Sequence, residues 1–356
     1  MISAKPEIRV YDREMQFQGI IDAASSLQWH RKYYEPGDLE LHCPMTQNNI
    51  ELLQRGNLVY LKGAKEAAVV EHREIHDSAV MLELTIKGRF SESYMDRRLI
   101  RPFFHTENGS AENAMRNMFS MAYPIPRVEL APAYGFAKKI TFQATYKNLL
   151  VYEEKLAKYL QAGFRFRPDF AAKKYFFELY AGLDRTTAQR ERPWVIFSDG
   201  YGNLTDFVYA ENDQIHTNVC YVGGEGEGAD RTFVTAGDDS LTGLDRREVF
   251  YSAASDIRSE GLTEGQYKAA LLQRGEDYLQ PISQSIESAV NPNGNYVYKE
   301  DYDLGDLVTV RKEKFGIEVD ERIVEVNEIY EGGAFSVALT FGTPIPETID
   351  WTDAIN

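Results

Sequence analysis

Short runs in which apolar and polar residues alternate dominate the chain, and two groups of them echo one another. The C-terminal group opens with Asp301-Tyr302-Asp303-Leu304-Gly305-Asp306, where Asp and Gly mark a turn, and enters the β-branched run Leu307-Val308-Thr309-Val310. After a charged turn, residues 323–330 and 334–342 alternate on either side of Gly332-Gly333, which predicts a hairpin. Near the other end, Gly56-Asn57-Leu58-Val59, residues 69–76 and residues 82–88 repeat the phrase. Val70, Glu71, Glu74 and Ile75 fall opposite Val324, Glu325, Glu328 and Ile329. The echo predicts two equivalent β units, with Val70 and Val324 in one core position and Ile75 and Ile329 in another. Glu71 and Glu74 are three apart, so they share a face only if a bulge breaks the alternation.

The pattern divides the rest of the chain. Residues 8–11 and 17–21 are strand candidates, 26–34 follow, and Glu35-Pro36-Gly37-Asp38 turns the chain into the alternating Leu39-Glu40-Leu41-His42-Cys43-Pro44. With the 56–88 phrase these form a first β domain over 1–88. Residues 89–100 have helix-compatible spacing. Residues 110–121 predict a helix with Ser110 as N-cap and Ala114, Met115, Met118 and Phe119 on one face, stopped by Pro124-Ile125-Pro126. A further helix over 147–161 ends at Gly163, and a hairpin follows over 163–166 and 174–180. This makes 89–192 an α+β middle domain. Strand signals return at 194–197, 206–209, 218–222 and 231–234, and a helix over 263–279 stops before Pro281. The second β domain is read as discontinuous, 193–250 and 291–345. Its inserted helical segment, 251–290, enters where the first domain has only 47–54, and 346–356 form a tail. The expected class is α+β and β-rich, with two β-barrel domains around an α+β middle region.

Composition narrows the function. A chain of 356 residues that is 43% hydrophobic can fill several cores. Its formal net charge of −16 argues against a surface that grips a phosphate backbone. Two cysteines, Cys43 and Cys220, without Cys-x-x-Cys spacing fit a reducing compartment, and a single bridge between them stays open. Lys5, Glu7 and Arg9 stand where a signal peptide needs an apolar core, and no run has the length of a membrane span, so neither export nor membrane insertion is expected.

Four features invite chemistry. His72, Glu74 and His76 alternate and so share one strand face, a spacing compatible with zinc; the echo carries Val326, Glu328 and Tyr330 there, and a solvated face accounts for them better. Gly223-Gly224-Glu225-Gly226-Glu227-Gly228 precedes a strand rather than a helix, and its two carboxylates would repel phosphate. Asp301, Asp303 and Asp306 suggest a calcium loop, but Lys312 occupies the twelfth position, where a bidentate Glu is needed. Cys43 sits before Pro44 with no nucleophile elbow, and the pairs at Asp96-Arg97-Arg98, Asp184-Arg185 and Asp245-Arg246-Arg247 read as salt-bridge or subunit-contact groups. No catalytic, cofactor-binding or metal site is assigned.

Several phrases together resemble the tail hub proteins of long-tailed bacteriophages, similar to the N-terminal hub region of tail-associated lysins. They are Tyr34-Glu35-Pro36-Gly37-Asp38-Leu39-Glu40-Leu41, Gly88-Arg89-Phe90 with Asp96-Arg97-Arg98, Leu179-Tyr180-Ala181-Gly182-Leu183-Asp184-Arg185-Thr186, residues 218–228, and Tyr302-Asp303-Leu304-Gly305-Asp306-Leu307-Val308. The resemblance spans nearly the whole chain and implies a non-enzymatic virion protein assembled in the bacterial cytoplasm. It further implies tail-tube-like barrels and a homotrimer that presents six near-equivalent units to the tail tube or distal tail protein. Such a ring surrounds the path of the tape-measure protein and of DNA, which passes without specific binding, and a tail fibre or receptor-binding protein is a further partner. Relatives that carry a lytic extension place it beyond the point where this chain stops, so such activity is expected to be absent or to sit on another chain. Two other readings stay in view: a carbohydrate-active or peptide-cleaving wall enzyme, and a carbohydrate-binding module using aromatics such as Tyr201 and Tyr209.

Overall fold

The protein is seen here as a computed structural model that describes residues 5–78, 82–254, 257–290 and 294–342; the expected tail over 346–356 lies outside them. The first unit holds β1 (Ile8–Tyr11), β2 (Phe17–Ile21), β3 (Ser26–Lys32), β4 (Asp38–Pro44), α1 (Gln47–Leu52), β5 (Leu58–Leu61), β6 (Ala68–Val69), β7 (His72–Asp77) and β8 (Leu82–Arg89). A four-stranded sheet, β2-β1-β5-β6, packs on β3-β4-β8-β7 around Leu27, Trp29, Leu39, Leu41, Leu84 and Ile86. The alternation written in β4, with Leu39, Leu41 and Cys43 buried and their neighbours partly exposed, is the period-two signal of a half-buried strand.

The middle region adds a 3₁₀ turn over Ser91–Arg97, where helical spacing was expected, then β9 (Phe104–Ser110), α2 (Ala111–Met121), β10 (Val128–Leu130), β11 (Lys139–Ala144), α3 (Leu149–Leu160), β12 (Gly163–Asp169) and β13 (Lys174–Tyr180). Ser110 caps α2 as expected, its hydroxyl accepting from the Asn113 amide at 3.3 Å. Phe164, Phe166 and Phe177 of the β12–β13 hairpin meet Met115 and Met118 of α2 in one core.

In the C-terminal half, β14 (Ile196–Ser198) and β15 (Val208–Asn212) precede β16 (Val219–Gly223), β17 (Phe233–Gly237), β18 (Glu248–Ser252) and α4 (Glu264–Tyr278). Next come β19 (Ser283–Val290), β20 (Leu307–Lys312), β21 (Ile317–Glu331) and β22 (Ala334–Gly342). A capping box between Thr263 and Gln266 starts α4.

Three expectations change. First, β16–β18 do not join the second β unit. They form their own sheet, β17-β16-β18, closed by α4 around Cys220, Val222, Tyr267 and Leu271. The inserted piece therefore begins after β15, and β19, expected within the helical insert, returns the chain to the main sheet by pairing with β15 and β22. Second, β21 begins at Ile317 rather than 323, because the charged residues before Ile323 pair with β20. Third, neither half closes its own barrel among the described residues. The strands β15-β19-β22-β21-β3-β4-β8-β7 follow one another in a single open sheet that both halves share, with β20 and β14 branching from β21.

The duplication is real but shifted by one residue. The Gly56 amide donates to Val70 O at 2.8 Å and the Val70 amide to Asn57 O at 2.9 Å. In the other half the Gly305 amide donates to Ile323 O at 2.8 Å and the Ile323 amide to Asp306 O at 2.9 Å. Gly56 and Gly305 both hold positive φ, 89° and 95°, a conformation that suits glycine. Val70 thus corresponds to Ile323, not Val324, and Ile75 to Glu328, not Ile329. Carried across the pairings, this register aligns β3, β4, β8 and β7 with β15, β19, β22 and the second part of β21. Buried positions coincide in the two central strand pairs, Leu39 with Ile286, Cys43 with Val290, Leu84 with Val337 and Ile86 with Leu339, and differ on the edge strands, where Ile75 is exposed and its counterpart Glu328 buried. Val324 is itself buried, at the bulge where β21 shifts register, which is why it reads as the core match.

Candidate assembly site

The order of strands defines the site. One half contributes β15-β19-β22-β21 and the other β3-β4-β8-β7, joined head to tail where β21 pairs with β3 over Glu325↔Lys32 to Glu331↔Ser26. A head-to-tail seam leaves unlike edges: β7, the counterpart of β21, is open at one end, and β15, the counterpart of β3, at the other. An open strand edge presents unpaired amides and carbonyls and is a template for another chain.

Charges hold the internal seam. Arg31 of β3, 3% exposed, donates to Asp303 Oδ1 at 2.6 Å, Tyr298 Oη at 2.7 Å and Glu66 Oε1 at 3.1 Å. Glu66 also meets Arg165 of β12 at 3.6 Å, and Arg165 donates to Glu178. Glu328 of β21 accepts from Tyr298 and Tyr330 and pairs with Lys299 at 2.7 Å. Burial works against charge at Asp303, but Arg31 and Lys65 hold its carboxyl below the usual range. On the other face His30 lies between Asp38 and Glu325, at 3.4 and 3.3 Å; despite its burial, the hydrogen bonds to both push its pKa up to about 9. The network ties all three regions of the chain into one body.

The residues singled out from sequence fall elsewhere or into this framework. His72, Glu74 and His76 do share the outer face of β7, opposite Lys87, Thr85 and Glu83, but they spread along an exposed edge, His72 lying 3.7 Å from Glu74. Among the described residues no group of His, Cys, Asp and Glu could hold a metal ion. Asp303 serves Arg31, Asp306 accepts from Arg185 and from the Leu183 amide, and Asp301 accepts from the Val297 amide, so all three are occupied by turn and seam contacts. The glycine loop leads through a short 3₁₀ turn into β17, with Glu225 tied to Ser259. Cys43 and Cys220 are free and lie in different cores. Arg97 pairs with Glu71, Arg185 with Asp306, Arg246 with Asp239 and Glu248, and Arg247 with Asp213. Tyr201 is exposed, while Tyr209 packs on the second core and donates to Glu211. Among the described residues no helix is long and apolar enough to cross a membrane. Sequence reasoning missed Arg31 and Glu66 and noted Glu328 only as part of the echo, because a charged residue gives no sign of burial until its partners, distant in the chain, are known.

This two-unit β architecture with a helical middle region is the fold of phage tail proteins. It is similar to the tail protein from Neisseria meningitidis MC58, with a TM-score of 0.60 and 11% identity over 95% of this chain and 96% of that one. The 43 kDa tail protein of prophage MuSo2 from Shewanella oneidensis gives 0.57 and 12% over 94% and 98%, and prophage tail protein gp18 from Listeria monocytogenes EGD-e 0.56 and 16% over 98% and 97%. No curated protein sequence matches the chain. The family described as Siphovirus ReqiPepy6 Gp37-like protein matches residues 7–343, and the chain belongs to it.

Proposed function

We propose that the protein is the hub at the distal end of the tail, a homotrimeric ring that joins the tail tube or distal tail protein to the tip and surrounds the path of the tape-measure protein and DNA. The supporting observation is the head-to-tail seam. A heterologous contact that repeats through a rotation dividing the full circle, without translation, closes into a ring, and this chain already contains one such contact between two like units. Repeating it between chains pairs β7 of one copy with β15 of the next. Eight strands from each of three chains then make a closed barrel of 24 strands with six four-stranded sectors. Closure removes both open edges, which an isolated chain would leave exposed to unspecific pairing.

The face of the sheet turned away from the cores becomes the lumen in this arrangement. It carries Glu40, Glu74, Glu83, Glu287 and Glu325 against Lys32 and Lys87, an acid-leaning wall past which phosphate slides without counterion release. We read the role as structural rather than catalytic, because the buried carboxylates of the seam are committed to arginine, lysine and tyrosine partners. Light scattering on the purified chain tests the reading: association to three times the chain mass is expected, and a species that stays monomeric at high concentration, with no ring in any tail particle, contradicts it.

A further inference from the structure

The internal seam also shows what should fill the matching slot between copies. Just past β3, Tyr33 lies against Gly305, where an added Cβ would meet its ring at 2.3 Å, and the Tyr33 amide donates to Val324 O. Alongside it, the Arg31 cation meets Asp303. The duplicated register gives the counterparts on the open edges. Gly56 stands for Gly305, Arg55 for Leu304 and Gln54 for Asp303, while Glu211 stands for Arg31 and Asp213 for Tyr33.

Around Gly56 there is no aromatic plug but a cleft of about 530 Å3, lined by Arg13, Arg55, Arg73 and Arg97 with Glu71 as its one carboxylate. Glu71 is already taken by Arg89 and Arg97. Arg13 donates to a backbone carbonyl, and Arg73 to a carbonyl and the Gln54 amide, its Nε buried without a partner. The wall thus holds an excess of positive charge on a chain of net charge −16. On the other open edge Glu211 and Asp213 are exposed; Asp213 is paired with Arg247 of its own chain, and Glu211, which accepts from the neutral Tyr209 hydroxyl, keeps its charge, so the polarity of the internal seam is inverted: anion on the entering strand, cations on the receiving wall. Guanidinium groups that face carboxylates form charge-assisted and often bidentate bonds.

We infer that the arginine cleft is the receiving half of the subunit contact and binds Glu211 of a second copy of this chain. The inference rests on the ring reading and adds to it the residues that set which edges meet. Electrostatic pairing of this kind fixes register and partner orientation more than it adds bulk affinity.

Charge reversal on the full chain tests it, read by light scattering across a concentration series, with circular dichroism as the check on folding. Arg55→Glu and Glu211→Lys are each expected to raise the concentration for half-assembly by about tenfold or more. The two reversals combined in one chain should restore assembly toward the wild-type level. Arg190→Glu, on the exposed loop after β13, carries the same charge change and should leave assembly unaltered. A wild type that assembles while the Arg55 and Glu211 variants behave like Arg190→Glu, or a double reversal worse than either single one, overturns this inference and leaves the ring standing. A wild type that never associates overturns both.

Discussion

Glu153 of α3 is fully buried, and neither of its carboxyl oxygens has a hydrogen-bond partner. Burial alone lifts its pKa well above the ordinary range, so the folded chain holds it protonated. Stability from this proton is present at low pH and is lost as pH rises past the unfolded carboxyl range. Glu153→Met should therefore stabilise the protein by about 1–3 kcal/mol and flatten the alkaline side of its stability profile, as read by urea unfolding at several pH values. His30 acts with the same sign for the opposite reason. Its cation, held by Asp38 and Glu325, contributes fully below about pH 6.5 and is lost as pH rises through about 9. The stability gap between wild type and His30→Gln should close across that window; a gap independent of pH contradicts the role. Neither residue stands out in the sequence. Glu153 reads as the polar face of a helix, and His30 as one more charge in Gln28-Trp29-His30-Arg31-Lys32, because burial is a property of partners rather than of spacing.

At the scale of elements, the Ser110 cap and the alternating strands were legible: Ser110, the β12–β13 hairpin and the strand pair around Gly332-Gly333 all follow from local rules. The repeat was legible as a pattern but not in register. Loops of different length separate β5 from β6 and β20 from β21, and Ile323 and Val324 are both buried, so side-chain type could not choose between them. The insertion point was misplaced for a related reason. Val219 to Val222 are as apolar as a main-sheet strand, and only their pairing with β17 and β18 assigns them to the inserted unit. The seam between β3 and β21 left no trace in sequence, since the pairing spans most of the chain. Arg31→Met, which takes the nearer cation from the buried Glu66 and leaves Asp303 with Lys65 alone, should cost about 3–5 kcal/mol, measured by denaturant unfolding. A loss below about 1 kcal/mol would show that the seam rests on strand pairing alone.

At the scale of the molecule, the net charge of −16 is not spread evenly. The cation-rich cleft and the acid-leaning outer face of the shared sheet lie on opposite sides of β7, and head-to-tail assembly turns the first toward a neighbour and the second toward the lumen. The most direct measurement is a three-dimensional reconstruction of the ring, alone or in an assembled tail, at a resolution that separates strands. It should show three chains, β7 of each paired with β15 of the next, a continuous wall of 24 strands and no basic stripe along the channel. Three chains joined through other surfaces, with β7 and β15 left open, would contradict the account.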